Sequence, residues 1–454
     1  MAEEIIAQAE IFAIGLGECG SNLVASYFGD KKTGATKSSR IRDYLIMNTD
    51  RTDLTKTRER YGISKNRTLL YGNVDIGVGG RFMDGLKTVE ESKELIFNQL
   101  RELGFEGVNG FVLFTSLGGG TGCGGTPALI KLLRKRFEQE ENRRIFIYVI
   151  GVLPFADQSS ESINTVWSLS HLLRAQMDGN GPDLILLLSN RTMLNRVLSW
   201  QRGEISDLLQ DRIGGDILNF TKENKKQKDK QKQLKSESEF IDLINPLAME
   251  AIDYMLSPGI AEVGKTVSPT TDLADYSRKL DSVVVPVLFK DVPFFPEVGD
   301  LENQFQTIMN FSVTKQSLTD MGKKPDAESV YAIFSGSKEI SRVEYSPILK
   351  KTLKNYIAKG AAVTHSFISY DHEVNPALLM LFGLPKVPEI KDILEEAKAL
   401  IRLHSGRSNL KEHWFQRSKG VGKDVLEQAV TDLEQLFGAY IKEGTDQKSL
   451  SALD

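Results

Sequence analysis

The sequence predicts an α/β protein, with a parallel sheet covered by helices on both faces, a long connecting helix, and a second, smaller α/β domain. In the first half of the chain, short apolar runs alternate with helix-like stretches, which is typical of strands buried on both faces. Two of these runs lead directly into glycine-rich turns. A length of 454 residues also exceeds what one ordinary hydrophobic core accommodates.

The strands of the first half are short β-rich runs, each followed by Gly, Asn or Pro. They are predicted at 11–16, 43–49, 110–116, 145–153 and 183–189, with a helix over 128–144. The apolar pattern of 236–259 predicts the connecting helix, and Ser236 and Glu239 have capping-box spacing at its start. Pro246 either kinks this helix or lies in the first turn of a shorter one that Asn245 caps.

A second sheet is expected after this helix, because several further β-rich runs follow it in the sequence. Its strands are predicted at 282–289, 330–336, 361–370 and 378–384, with helices near 300–318 and 345–358. Residues 424–441 carry apolar side chains on one face and predict a terminal amphipathic helix that packs on its own domain. The lysine-rich segment 221–238 carries almost no apolar residue and is expected to be a solvated insertion.

Composition favours a soluble protein of a reducing compartment. The chain is 41% hydrophobic and 26% charged, and its net charge of −4 gives no reason to expect direct binding to nucleic acid. The N-terminal MAEEIIAQAE is acidic where a secretion signal is basic, and the longest apolar runs are too short to insert into a membrane. The two cysteines form no disulfide framework, and the five histidines have no metal-ligand spacing. We therefore expect a cytoplasmic protein.

The first glycine-rich turn, GLGECG at 15–20, matches G-x-G-x-x-G between a strand and a helix. Asp50 follows the next strand, where a Rossmann-like dinucleotide fold places its ribose-binding acid. These two features alone predict an NAD-dependent oxidoreductase.

The second turn, Gly118–Gly125, argues for a polyphosphate instead. Glycines allow backbone N–H groups to turn towards one point, and the helix that follows adds partial positive charge at its N-terminus. A third glycine-rich turn at 75–85 supplies further N–H groups. The sequence contains no G-x-x-x-x-G-K-[ST] pattern, which excludes an ordinary P-loop enzyme.

The glycine run GGGTGCG closely resembles the GGGTG[ST]G signature of the tubulin/FtsZ superfamily. Further loops resemble the same family in the same order, and the mixture of tubulin-like and FtsZ-like features resembles divergent prokaryotic members such as the archaeal CetZ group. These loops are GLGECGSN, NTDRTDL at 48–54, DIGVGGR, LPFADQSSESINTVWSLSHLL at 153–173 and SNRTML at 189–194.

The resemblance implies a GTP/GDP site with magnesium. By that match Glu161 holds the ribose, Asn190 reads guanine, Phe240 stacks on the base, and Asn245 bonds the base edge or is only a helix cap. The residues placed around the nucleotide are Gly17, Glu18, Cys19, Asn22, Asn48, Asp50, Gly79, Gly80, Gly118, Gly119, Gly120, Thr121, Gly122, Cys123, Glu161, Asn164, Asn190, Phe240 and Asn245. Glu18 departs from the family pattern, and it is either a magnesium ligand or points away from the phosphates.

The resemblance also implies self-assembly. TTDLADY resembles the FtsZ pattern N-x-D-F-x-D. The resemblance implies that Asp272 and Asp275 act on the γ-phosphate of the neighbouring subunit in a head-to-tail filament. Asp272, at a helix start, also fits a simple helix cap. Thr270 replaces the FtsZ asparagine. This change and Glu18 support a third hypothesis beside the GTPase and the oxidoreductase, namely a GTP-binding scaffold or switch that does not hydrolyse GTP. The tail resembles neither family's, so any adaptor proteins are unidentified.

The implied domains follow the predicted elements. They are a GTP-binding domain at 1–235, the connecting helix at 236–259, a GTPase-activating domain at 260–400 and C-terminal helices with a short tail at 401–454.

Overall fold

The computed structural model describes eleven segments of the chain. They are 10–29, 41–72, 77–155, 159–201, 237–259, 264–269, 273–280, 283–294, residue 296, 300–405 and 423–441. Most of the lysine-rich segment 221–238, together with Thr270 and Asp272, lies outside these residues.

Strands and helices alternate through the first half, as the sequence predicts. The strands are β1 Ile11–Leu16, β2 Ile41–Asn48, β3 Thr68–Leu70, β4 Gly110–Ser116, β5 Phe146–Leu153, β6 Leu184–Ser189, β7 Lys265–Ser268, β8 Val283–Phe289, β9 Ala327–Ser337, β10 Ile357–Tyr370 and β11 Ala377–Gly383. The helices are α1 Gly17–Phe28, α2 Arg51–Tyr61, α3 Phe82–Glu91, α4 Lys93–Glu102, α5 Gly120–Arg134, α6 Ser159–Met177, α7 Asn190–Gln201, α8 Glu237–Leu256, α9 Leu273–Lys279, α10 Leu301–Lys315, α11 Ser346–Leu353, α12 Pro388–Ser405 and α13 Lys423–Ile441.

The described strands form one sheet in the order β3-β2-β1-β4-β5-β6-β8-β11-β9-β10-β7. All pairs from β3 to β8 are parallel, so the carboxyl ends of β1, β2, β4 and β6 meet at one edge. Strands β1, β4 and β6 are buried on both faces, because helices cover the sheet from either side. In parallel sheets this carboxyl edge is where ligands bind.

The separate second sheet predicted from the sequence is wrong. Strand β8 pairs in parallel with β6 through Ile185–Val283 and Leu186–Val284, and this short ladder joins the later strands to the first sheet. The later part is mixed, since β11 is antiparallel to β8 and β9, whereas β9 and β10 are parallel. The predicted fold class, α/β with a parallel sheet in the first half and a long helix before the later strands, is confirmed.

The connecting helix α8 runs uninterrupted from Glu237 to Leu256 with Pro246 inside it. Asn245 therefore lies in the helix interior, and its interpretation as the cap of a shorter helix is wrong. Helix α5 begins at Gly120, within the glycine run, and its last turns continue as a π-helix over Lys135–Glu140. Among the described helices, none is both long and apolar enough to cross a bilayer.

Candidate nucleotide site

Two helix N-termini lie side by side at the carboxyl edge of the sheet. Helices α1 and α5 follow β1 and β4, which are neighbours with Leu16 opposite Thr115. The N-cap positions, Leu16 and Gly119, provide no side-chain hydrogen bond to either helix. The first N–H groups of both helices thus point out of the same edge with their partial positive charges, as an anion site requires.

The glycine loop 118–125 is shaped largely by its protein neighbours. A Cβ on Gly120 would lie 2.7 Å from the Cα of Gly80, and a Cβ on Gly124 would lie 1.9 Å from the carbonyl oxygen of Phe82. From the other side, a Cβ on Gly85 would lie 2.3 Å from the carbonyl oxygen of Gly120. These glycines allow α3 to pack directly on the backbone of α5. The sequence argument, which assigned the glycines to phosphate approach, missed this packing role.

Gly119 differs from these positions. Its φ of −74° is ordinary, and the nearest atom to an added Cβ is the Ser116 side chain at 3.8 Å. The Ser116 hydroxyl accepts hydrogen bonds from the N–H groups of Gly118 and Gly119 at 3.2 and 3.3 Å. Gly119 is therefore the glycine of this loop that the protein itself does not require, and the space beside it is available to a ligand.

The first loop contacts the glycine loop directly. Gly17 has a φ of +69°, which favours glycine, and a Cβ there would lie 3.1 Å from the amide nitrogen of Gly122. Gly20 allows α1 to pack on β4, since a Cβ would lie 2.0 Å from the carbonyl oxygen of Phe114. Asn22 is buried and accepts a hydrogen bond from the Thr57 hydroxyl of α2 at 2.8 Å.

The second loop is ordered by its own side chains. The Asn48 side-chain oxygen accepts from the N–H groups of Thr49 and Asp50, and Asp50 in turn caps α2 by accepting from Thr52 and Asp53. Because Asp50 is a helix cap, the feature that suggested an NAD ribose site has a structural explanation.

Hydrogen bonds tie the second loop to its neighbours. The Thr49 and Thr121 hydroxyls are 2.7 Å apart, and the Gly77 N–H donates to the Thr49 carbonyl at 3.2 Å. Thr49 was not singled out from the sequence, although it stands between two residues that were. Gly79 and Gly80, at φ of +59° and +70°, have open space where a side chain would be.

Helix α6 contributes two polar residues to the same place. The Asn164 amide nitrogen donates to the carbonyls of Gly80 and Gly118, both at 2.8 Å, so this side chain clamps the third loop to the glycine loop. Glu161 contacts Gly118 closely, since a Cβ on Gly118 would lie 2.7 Å from its Oε2. Arg81, directly after Gly80 and paired with Asp84 at 2.6 Å, was also missed in the sequence.

The thiols of the site are protonated at neutral pH. Burial, reinforced by the Glu18 and Glu161 carboxylates, raises the pKa of Cys19 to about 12. Burial also raises the pKa of Cys123, whose thiol donates to the Gly120 carbonyl. Negative side chains near phosphates need a cation between them. Among the described residues no group of three or more His, Cys, Asp or Glu side chains is placed to hold a metal, and the Glu18 side chain is exposed.

The residues expected to read the base lie further along the edge. Asn190 is half-buried at the end of β6, where α7 begins. Asn245 of α8 is 6% exposed, and its buried amide nitrogen has no hydrogen-bond partner among the described residues. An unpaired buried amide of this kind is rare, so a ligand acceptor is a natural partner for it. The side chain of Phe240, at the start of α8, lies outside the described residues.

Of the two predicted catalytic carboxylates, the structure describes one. Asp275 lies in the first turn of α9, and its carboxylate is 3.3 Å from the Lys279 ammonium one turn later. Asp272 lies outside the described residues.

Taken together, the fold and this edge are typical of the class of proteins that bind nucleotides at helix N-termini. Comparisons with known proteins agree. Residues 10–197 match the family model described as Tubulin/FtsZ family, GTPase domain. The chain is similar to tubulin-like protein CetZ1 of Haloferax volcanii, 25% identical over 209 residues that cover 44% of this chain and 48% of that protein. It is 29% identical to tubulin-like protein CetZ of Pyrococcus furiosus over 149 residues, 32% of this chain and 36% of the relative. The matched regions thus span less than half of these two relatives.

Solved structures show the same fold over most of the chain. CetZ2 from Haloferax volcanii, in a GTPγS-bound protofilament, superposes with a TM-score of 0.63 and 19% identity over 87% of this chain and 98% of that one. CetZ from Methanosaeta thermophila gives a TM-score of 0.62 and 18% identity over 94% and 99%. Residues 10–197 are thus similar to the GTPase domain of the tubulin/FtsZ family, and the relatives and solved structures named here are archaeal CetZ proteins.

Proposed function

We propose that this chain is a self-assembling cytoskeletal GTPase, which binds GTP at the carboxyl edge of β1, β2, β4 and β6. The observation that carries the proposal is the convergence of two helix N-termini that no side chain caps, within loops that hydrogen bonds hold together. Fixed N–H groups of this kind stabilise phosphate charge without reorganising. The likeness to a protofilament of a CetZ protein supports assembly of this chain with itself.

Guanine recognition is proposed for Asn190 and Asn245, with Phe240 against the base and Glu161 at the ribose. The buried, unpaired amide nitrogen of Asn245 supports its part, because it would donate to the carbonyl oxygen that distinguishes guanine from adenine. Magnesium would neutralise the β- and γ-phosphate oxygens when bound. Glu18 is the exposed carboxylate nearest the first turn of α1, so it is the residue we propose for a magnesium-bound water.

Hydrolysis is proposed to need a second subunit. Asp275, with Asp272, would approach the γ-phosphate of the next subunit in a head-to-tail homopolymer and orient the attacking water. In the single chain Lys279 pairs with Asp275, and this pair favours the alternative of a nucleotide-binding scaffold that hydrolyses slowly or not at all. We do not propose direct binding to nucleic acid or membrane, and the cytoplasm is the expected compartment.

Phosphate release from GTP across a protein concentration series, with light scattering on the same samples, tests this proposal. A rate per subunit that rises together with scattering supports a shared site. A rate independent of concentration contradicts it, and assembly without turnover supports the scaffold.

Mixing two inactive variants tests whether the carboxylate of one subunit acts on the nucleotide of another. Asp275→Ala keeps the nucleotide site and loses the carboxylate, whereas Gly119→Asp places a negative charge in the phosphate cradle and keeps Asp275. If the carboxylate acts on its neighbour, a mixture of the two regains GTP turnover that neither has alone. Asp275→Asn is the conservative control. A mixture that stays as inactive as its components would refute action between subunits.

A further inference from the structure

A groove of about 530 Å³ lies at the free edge of the sheet, on the side of β3 away from β2. Helices α2 and α4 and the 3₁₀ turn Lys65–Arg67 form its walls, and residues of β3 contribute to its lining. The proposed nucleotide function does not use this groove. Leu54 and Leu70 give it an apolar floor, with Leu54 buried and Leu70 half-buried.

The charge of the groove is predominantly positive. Its lining includes the cations Arg51, Arg58 and Lys65 and a single acid, Glu102. Arg51 and Arg58 are seven residues apart on α2, so they project from the same face of that helix. Within the described part of the chain, no ion pair engages the side chain of Arg58 or Lys65. This local excess of cations contrasts with the net charge of −4 of the whole chain, and it attracts a negatively charged segment.

Strand β3 presents unused backbone groups to this groove. It pairs with β2 on one side, and no described strand pairs with its other side. The Tyr71 N–H donates to the Asn48 carbonyl, so the alternation of a parallel pair directs the N–H and C=O of Leu70 away from β2. An exposed edge of this kind accepts an added strand.

We propose that the groove binds an acidic, extended peptide segment of a partner protein, which adds as a strand beside β3. Its backbone pairs with Leu70, and the side chains on its α2-facing side contact Leu54 and Leu70 where they are apolar and Arg58 and Lys65 where they are acidic. Because β3 has only three residues, few ladder bonds form and the ionic contacts set much of the affinity. Binding is accordingly weak, with a Kd of about 10–100 μM, and salt-sensitive.

The test uses fluorescence anisotropy with the full-length protein and a fluorescein-labelled six-residue peptide, in which Glu and Val share the α2-facing positions and Ser fills the others. The same peptide with Lys in place of Glu is the charge control. Arg58→Glu should weaken binding about tenfold, with Arg58→Gln as a milder second variant. Lys56→Glu is the matched control, because Lys56 is exposed on the same helix but does not line the groove, and it should change the affinity less than about twofold.

Backbone pairing is tested by N-methylating the peptide amides in alternation. Loss of binding for one methylation register and not for the other supports strand addition. Equal binding of both registers, with full competition by sodium tripolyphosphate, would show a plain anion site and overturn the proposal. So would equal effects of Arg58→Glu and Lys56→Glu, or no binding at peptide concentrations up to about 1 mM.

Discussion

Replacing Gly119 by Asp is expected to separate the folding of the glycine loop from its proposed function. Gly119 is the N-cap of α5, with φ −74° and ψ 162°, a conformation that any residue adopts. The nearest atom to its added Cβ is 3.8 Å away. Asp is among the best N-cap residues, so the substitution should leave the free energy of unfolding unchanged or raise it by a few tenths of a kcal/mol. The helix dipole adds about 0.3–1 kcal/mol in the same direction.

Nucleotide binding should respond in the opposite direction. A carboxylate at about 5 Å from a phosphate, with an effective dielectric constant of about 20, is repelled by roughly 3 kcal/mol per unit charge. Counterions reduce this value, and we expect a loss of GTP affinity of at least about tenfold, equal to about 1.4 kcal/mol.

The assay is isothermal titration with GTP, with thermal unfolding of the nucleotide-free protein measured in parallel. Gly119→Asn is the matched control, since it caps the helix without a charge, and it should lose far less affinity than Gly119→Asp. If Gly119→Asp bound GTP as tightly as the parent, the phosphates would not lie at the N-terminus of α5, and the proposed phosphate site would be wrong.

Three further outcomes are expected. Gly124→Ala should lower the free energy of unfolding by about 3 kcal/mol, because its Cβ would lie 1.9 Å from the Phe82 carbonyl oxygen. Gly119→Ala, at a position with room for a Cβ, is the control, and equal denaturation midpoints of the two variants would contradict close packing at Gly124. Asn245→Ala should weaken GTP binding about tenfold without lowering the melting temperature of the nucleotide-free protein, since its amide nitrogen has no hydrogen-bond partner among the described residues. A large stability loss with unchanged affinity would refute a role at the base. Alkylation of Cys19 by iodoacetamide, followed by mass spectrometry, should be slow at pH 8 and keep accelerating through pH 10. Its pKa is raised to about 12, and below that value the fraction of reactive thiolate rises about tenfold per pH unit. A rate plateau below pH 9 would show the opposite.

The sequence identifies the long, doubly buried strands well. Strands β1 and β4 have the predicted bounds, because an apolar run between turn residues has few other folded solutions. Strands β3 and β7 have only three and four residues, which is too short for an apolar pattern to predict a strand, and they form through pairing with β2 and β10. The junction of β6 with β8 is similarly non-local, since it depends on two residue pairs about a hundred positions apart, and no local pattern encodes it.

The glycine spacing predicted loops directly after two strands, and the structure places them after β1 and β4. Their role at a nucleotide stays a prediction. A missing Cβ, however, makes room for a ligand or for a neighbouring backbone, and the sequence does not distinguish the two. At Gly120 and Gly124 the neighbour is protein, whereas at Gly119 the space is open. Likewise Asn164 matches a family position, but its amide hydrogens bond to two loop carbonyls, a contact that depends on the tertiary arrangement of three segments.

Helix α8 links the phosphate cradle to the carboxylate proposed to act in hydrolysis. The Tyr27 hydroxyl of α1, the helix that begins in the first loop, donates to Asp253 of α8 at 2.5 Å. Two residues further along α8, the Met255 carbonyl accepts from the Tyr276 hydroxyl of α9 at 2.5 Å. Tyr276 directly follows Asp275, so a single turn of α8 holds both α1 and the helix that carries this carboxylate. If nucleotide exchange displaces α1, as the proposed function implies, the movement would reach Asp275 through two hydrogen bonds and one helix, and the proposed hydrolysis would weaken the proposed subunit contact by this route.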